Sequence, residues 1–134
     1  MGLNSSKRER LFSLLDRLDD MEPEDLLKEF TEEILGEVRI LAGELNEELV
    51  LERVISENRF LEIIGDLAET NRIWARRYEE TVNLAGKAVG EGKTEQACWL
   101  LDGFLRFCPS PYYREMAEKN FDEVQKEVNE GTGD

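Results

Sequence analysis

Apolar residues recur along the chain at steps of three and four, the spacing that lines one face of an α-helix, and no segment sustains the period-two alternation of β-branched residues that marks a strand. Leu11, Leu14, Leu15 and Leu18 predict a first helix over about Ser6 to Leu18. Pro23 suits the first turn of a second, with Glu24 and Asp25 favourable at its positive end. Leu27, Phe30, Ile34, Val38, Leu41 and Leu45 then continue as one seam, in which Gly36 and Gly43 mark either close packing or a break near 43–46. A third helix is expected over about 46–57 through Leu49, Val50, Val54 and Ile55, with Asn58 as a cap or turn. The fourth carries Phe60, Leu61, Ile64, Leu67 and Ala68. After a point near Thr70-Asn71 where it can pause, it runs through Ile73, Trp74, Tyr78, Val82, Ala85 and Ala88 to a stop at Gly90-Glu91-Gly92. Thr94 is the expected N-cap of the next, which buries Ala97, Cys98, Leu101, Phe104 and Leu105 and ends at Cys108-Pro109. Ser110-Pro111 opens the last, whose apolar face is Tyr113, Ala117, Phe121, Val124 and Val128. The expectation is an all-α chain of five to seven antiparallel helices, a bundle or a short hairpin stack. It forms a single domain over 1–134 with flexible ends at 1–5 and 130–134.

Charge and composition narrow the function classes. The 134 residues carry 17 Lys and Arg against 31 Asp and Glu, a net charge of −14, and contain no histidine. Histidine-dependent nucleophilic triads, H-E-x-x-H zinc sites and Glu-x-x-His di-iron bundles are thereby excluded, leaving carboxylates and two cysteines, and no cofactor is expected. Asp19 to Glu52 concentrates 13 acidic residues against Lys28 and Arg39. Glu29, Glu32, Glu33 and Glu37 form the expected acidic surface. Such a field argues against direct nucleic-acid binding and favours a protein partner with a basic surface. An alternative is that this segment mimics nucleic acid and inhibits a nucleic-acid-binding protein. The longest uncharged stretch is seven residues, Phe107 to Tyr113, so no membrane span is expected and the chain reads as cytoplasmic. Cys98 and Cys108, set among apolar neighbours, read as reduced core cysteines. Met1-Gly2-Leu3-Asn4-Ser5-Ser6 also meets the M-G-x-x-x-[ST] pattern of N-terminal acylation.

Within Thr81 to Pro109, Leu84-Ala85, Ala88, Gly92, Ala97, Leu101 and Pro109 follow much of the spacing of one 34-residue helical hairpin. Stepping back 34 residues, Val50, Leu51, Val54, Asn58, Ile63 and Leu67 repeat the apolar and turn positions but lack the small residues and the proline. The stretch from about 47 to 110 resembles a degenerate tetratricopeptide repeat. That resemblance implies peptide or protein binding with no reaction attached. In it, Ala85 and Ala97 let two helices approach while Leu84 and Leu101 fill the seam. Glu44 and Glu47, followed by Asp66, distantly resemble the E-x-x-E and E-x-x-D carboxylates of the MazG-like nucleotide pyrophosphohydrolases, with Ile63 in place of the fourth. The resemblance implies Mg²⁺-dependent hydrolysis as a further alternative.

Arg72, Trp74, Arg76, Arg77 and Tyr78 are the only basic cluster with interleaved aromatics. Trp, Tyr and Arg are the residues that most often anchor protein interfaces, so this cluster is the expected partner-binding site. Trp99 with Tyr112, around the corner from Phe107 to Tyr113, is a second exposed candidate. The chain is expected to be a non-enzymatic interaction module, with self-association left open.

Overall fold

The structure, a computed structural model, describes residues 5–46 and 54–132. It is all-α: α1 (Ser5–Asp19), α2 (Pro23–Lys28), α3 (Glu32–Glu44), α4 (Glu57–Gly90), α5 (Thr94–Phe107) and α6 (Pro111–Thr132), with no strand among the described residues. Residues 1–4, 47–53, 133 and 134 lie outside the described residues, and with them Gly2, Glu47, Leu49, Val50 and Leu51. The chain divides into two compact units, Met1–Arg72 and Ile73–Asp134, to which α4 contributes its first and second halves respectively.

In the first unit α1 buries Leu11, Leu14, Leu15 and Leu18 as the sequence predicts. The single seam expected from Leu27 to Leu45 is instead two helices. Thr31 adopts an extended conformation (φ −126°, ψ 161°) and its hydroxyl accepts the Ile34 N–H at 3.2 Å. Thr31 thereby satisfies a free donor of α3, and Glu32 and Glu33 complement the helix dipole just after it. Leu27, Phe30 and Ile34 are consequently only half-buried, and the core takes Leu26, Val38, Leu41 and Leu45. The break expected near 43–46 is present, made by Asn46 at φ 59°, while a Cβ on Gly36 or Gly43 would meet open space. The helix expected over 46–57 is not continued by its described end: Val54 to Ser56 are non-helical, with Val54 exposed and Ile55 buried. Asn58 is no turn either, because Ser56 Oγ accepts the Arg59 N–H at 3.1 Å and starts α4 one residue before it. Phe30 stacks on Phe60 with ring centroids 5.1 Å apart. Arg8 Nε lies 3.1 Å from Glu44 Oε2, an ion pair almost wholly withdrawn from solvent that ties α1 to α3.

In the second unit α4 runs without the pause that Thr70-Asn71 suggested, and its second half packs antiparallel to α5. The turn between them is a full glycine-dependent stop. Gly92 sits at φ +78° and donates to Val89 O at 3.0 Å, and the Lys93 N–H reaches back to Ala88 O at 2.7 Å. Thr94 is therefore the first helical residue rather than the N-cap, a place taken by Lys93 without a side-chain bond. Ala85, Ala88, Ala97 and Leu101 form the core of the hairpin, with Val89, Phe121 and Val124 packed against it. Leu84, expected in that seam, is exposed because the small residues bring the backbones together one position farther round α4. Cys98 and Leu105 are half-buried rather than core. Cys108, extended before Pro109, ends α5. Ser110 Oγ accepts the Tyr113 N–H at 3.4 Å and starts α6, which continues through Thr132.

Candidate functional site

Helix α4 places Trp74 and Tyr78 one turn apart on the side that meets α5 and α6. Trp74 meets Phe104 edge-on at 6.1 Å between centroids. Tyr78 contacts Phe104 at 5.8 Å and Tyr113 at 6.1 Å, and Asn120 Nδ2 donates to its hydroxyl at 2.5 Å. Both rings are half-buried, and they bind the three helices of this unit to one another. Burial pushes the Tyr78 hydroxyl above its ordinary pKa, an effect that the Asn120 hydrogen bond opposes and Glu123 reinforces. The guanidinium of Arg77 lies over the Trp74 ring, 4.8 Å from its centroid. Arg76 is exposed. Arg72 belongs to the first unit, where its Nη1 pairs with Asp19 Oδ2 at 2.9 Å. The five residues expected to act together are thus divided: Trp74, Arg77 and Tyr78 share one cluster, whereas Arg72 and Arg76 take no part in it.

The acidic residues fall around the start of α3. Glu32 and Glu33 are exposed in its first turn, Glu37 is half-buried one turn on, and Glu29 receives Arg17 Nη1 at 3.5 Å. Of the carboxylates in the pyrophosphohydrolase-like pattern, Glu44 is engaged by Arg8, and Asp66 lies 3.9 Å from Arg59, which also holds Glu62 at 3.3 Å. Among the described residues no three His, Cys, Asp or Glu side chains come close enough to hold a metal ion together. Both cysteines are free thiols. Burial raises the pKa of each, aided at Cys98 by Glu95 and opposed at Cys108 by its bond to Ser110 O and by Arg114 and Arg77. Neither thiol is therefore activated as a nucleophile.

The outer face of α5 carries a surface that the first candidate cluster does not. Ala97, Leu101 and Phe104 turn inward, which places Trp99, Gly103 and Phe107 within about 80° of one another on the opposite side at 100° per residue. Trp99 is 72% exposed and Phe107 80%. Toward α4 this face borders an open groove of about 300 Å³ lined by Leu84, Lys87, Ala88, Glu91, Gln96 and Leu100. Arg114 Nη1 donates to the carbonyls of Leu105 and Cys108, fixing the last turn of α5 and with it the position of Phe107. The sequence flagged Trp99. Phe107 opens the corner from Phe107 to Tyr113 around which that candidate was placed, though it was not itself named as a contact.

Compared with known proteins, the chain matches no family model, no curated protein and no solved structure. Among the described residues no helix is long and apolar enough to cross a membrane.

Proposed function

We propose that the chain is a non-enzymatic helical protein-interaction module that docks through the outer face of α5. The observation that carries this reading is the pair Trp99 and Phe107, two large aromatics almost fully in solvent on one face of a helix whose opposite face is core. Scattered single apolar residues on a surface need no explanation, but Trp99 and Phe107 share one helix face about two turns apart, and exposed aromatics are the side chains that anchor interfaces. The half-buried Trp74 and Tyr78 are occupied in holding α4, α5 and α6 together, so in this reading they support the docking face and do not form it. The test is photo-cross-linking from p-benzoylphenylalanine placed at Gln96, beside the aromatics. A discrete adduct that disappears in Trp99→Ser is expected; the absence of any adduct, or one indifferent to Trp99→Ser, overturns the assignment.

A further inference from the structure

We infer that the partner of this face is a second copy of the chain, joined by an antiparallel crossing of α5 on α5 centred at Gly103; this rests on the docking face assigned above. Trp99 and Phe107 lie four residues to either side of Gly103, so a two-fold axis at Gly103 sets Trp99 of each copy against Phe107 of the other. A Cβ at Gly103 would meet nothing in its own chain, which leaves the crossing point open to the backbone of a second helix.

The charges on α5 lie along one flank of this face. Glu95 and Asp102 precede Arg106 along the flank beside Trp99, and Arg106 Nε already pairs with Asp102 at 3.0 Å within the helix. An antiparallel crossing keeps this flank on the same side in both copies, which carries each Arg106 toward the Asp102 and Glu95 of the other. A parallel crossing would put the two flanks on opposite sides, where these charges do not meet. The flank is also nearly balanced, two acids and one base, in a chain whose net charge is −14. At physiological ionic strength screening acts over about 8 Å, so this local balance outweighs the charge of the remainder.

The two aromatics supply a large part of the area such a dimer needs. At 72% and 80% exposure, and with aromatic side chains offering about 150–250 Å² each, Trp99 and Phe107 bring roughly 350 Å² per copy. Two copies bring about 700 Å² from these residues alone, more than half of the roughly 1,200 Å² at which stable interfaces begin. Leu84 and Leu100 beside them extend the apolar surface.

Sedimentation equilibrium of the full chain, across protein concentration and from low to high salt, tests this directly. The expected result is a monomer–dimer equilibrium that holds or tightens as salt rises, is weakened at least tenfold by Trp99→Ser with Phe107→Ser, and is weakened by Arg106→Glu. Because residue 103 alone would meet its own counterpart, Gly103→Cys in a Cys98→Ser background should form an intermolecular disulfide under mild oxidation, whereas Gln96→Cys in that background should not. A chain that stays monomeric, or a dimer indifferent to these substitutions, overturns the inference. A monomer that still cross-links from position 96 to a different protein overturns only the identity of the partner and leaves the docking face standing, while a monomer with no adduct removes both.

Discussion

Arg8 and Glu44 hold opposite charges at 3.1 Å with both side chains about nine-tenths buried. Such a pair adds little net stability over apolar residues of similar size, because desolvation cancels most of its attraction, but losing one partner strands the other charge. Glu44→Leu should therefore cost about 3 kcal/mol in urea unfolding, and Arg8→Met added to it should recover most of that loss. Equal losses in the single and double variants would show that Arg8 is satisfied without Glu44. Tyr78 offers a test by pH. Its folded-state pKa is raised, first by burial, so the folded chain keeps this proton at pH values where the unfolded chain has released it. The stabilisation is fully present below the unfolded value of about 10 and is lost as pH climbs toward the folded one. Between pH 9 and 11 the melting temperature of the parent should fall more steeply than that of Tyr78→Phe, and parallel curves would contradict the burial of this hydroxyl.

At the scale of the element, the α4–α5 turn separates two uses of glycine. Gly92 needs φ +78°, so Gly92→Ala should destabilise by about 1 kcal/mol. Gly86 lies within α4 with open space around its missing Cβ, and Gly86→Ala should stabilise by about 0.5–1 kcal/mol through helix propensity. Thermal melts showing the same sign for both would refute the turn geometry. These stops also show why much of the fold was legible in the sequence. Gly92, Pro109, Ser110 and Pro111 end or start helices through local backbone chemistry, which depends little on the rest of the fold. The division at Thr31 was not legible, because Leu27, Phe30 and Ile34 keep helical spacing across it and a single hydroxyl decides the outcome. The candidate site failed for a related reason. Periodicity identifies Trp74 and Tyr78 as sharing a face but does not say what covers it, and Phe104, Tyr113 and Asn120 arrive from 26 to 42 residues away in sequence. The α5 face was readable in principle, since Ala97, Leu101 and Phe104 fix the inward side and leave Trp99 and Phe107 outward.

Across the whole molecule the dominant electrostatic fact is a net charge of −14, and salt acts on it in two opposed ways. Screening relieves the mutual repulsion of 31 carboxylates, which favours the compact state, but it also weakens the surface ion pairs that this state contains. The second effect is small. Arg17–Glu29, Lys28–Asp25, Arg72–Asp19 and Lys93–Glu91 are largely solvated, and exposed pairs of this kind contribute about 0–1 kcal/mol each. The Arg8–Glu44 pair is shielded from ions by its burial and changes little. Relief of repulsion should therefore win, most strongly around the stretch from Asp19 to Glu52 with its 13 acids. The melting temperature should rise by several degrees from about 10 mM to 500 mM sodium chloride, as about 1 kcal/mol moves a domain of this size by roughly 4 °C. Charge reversal at Glu32 and Glu33, which are exposed and lie in the helix-favoured first turn of α3, separates two origins of that rise. If general repulsion dominates, Glu32→Lys with Glu33→Lys should flatten the salt dependence; if the dipole of α3 dominates, it should lower stability most at low salt and steepen the slope.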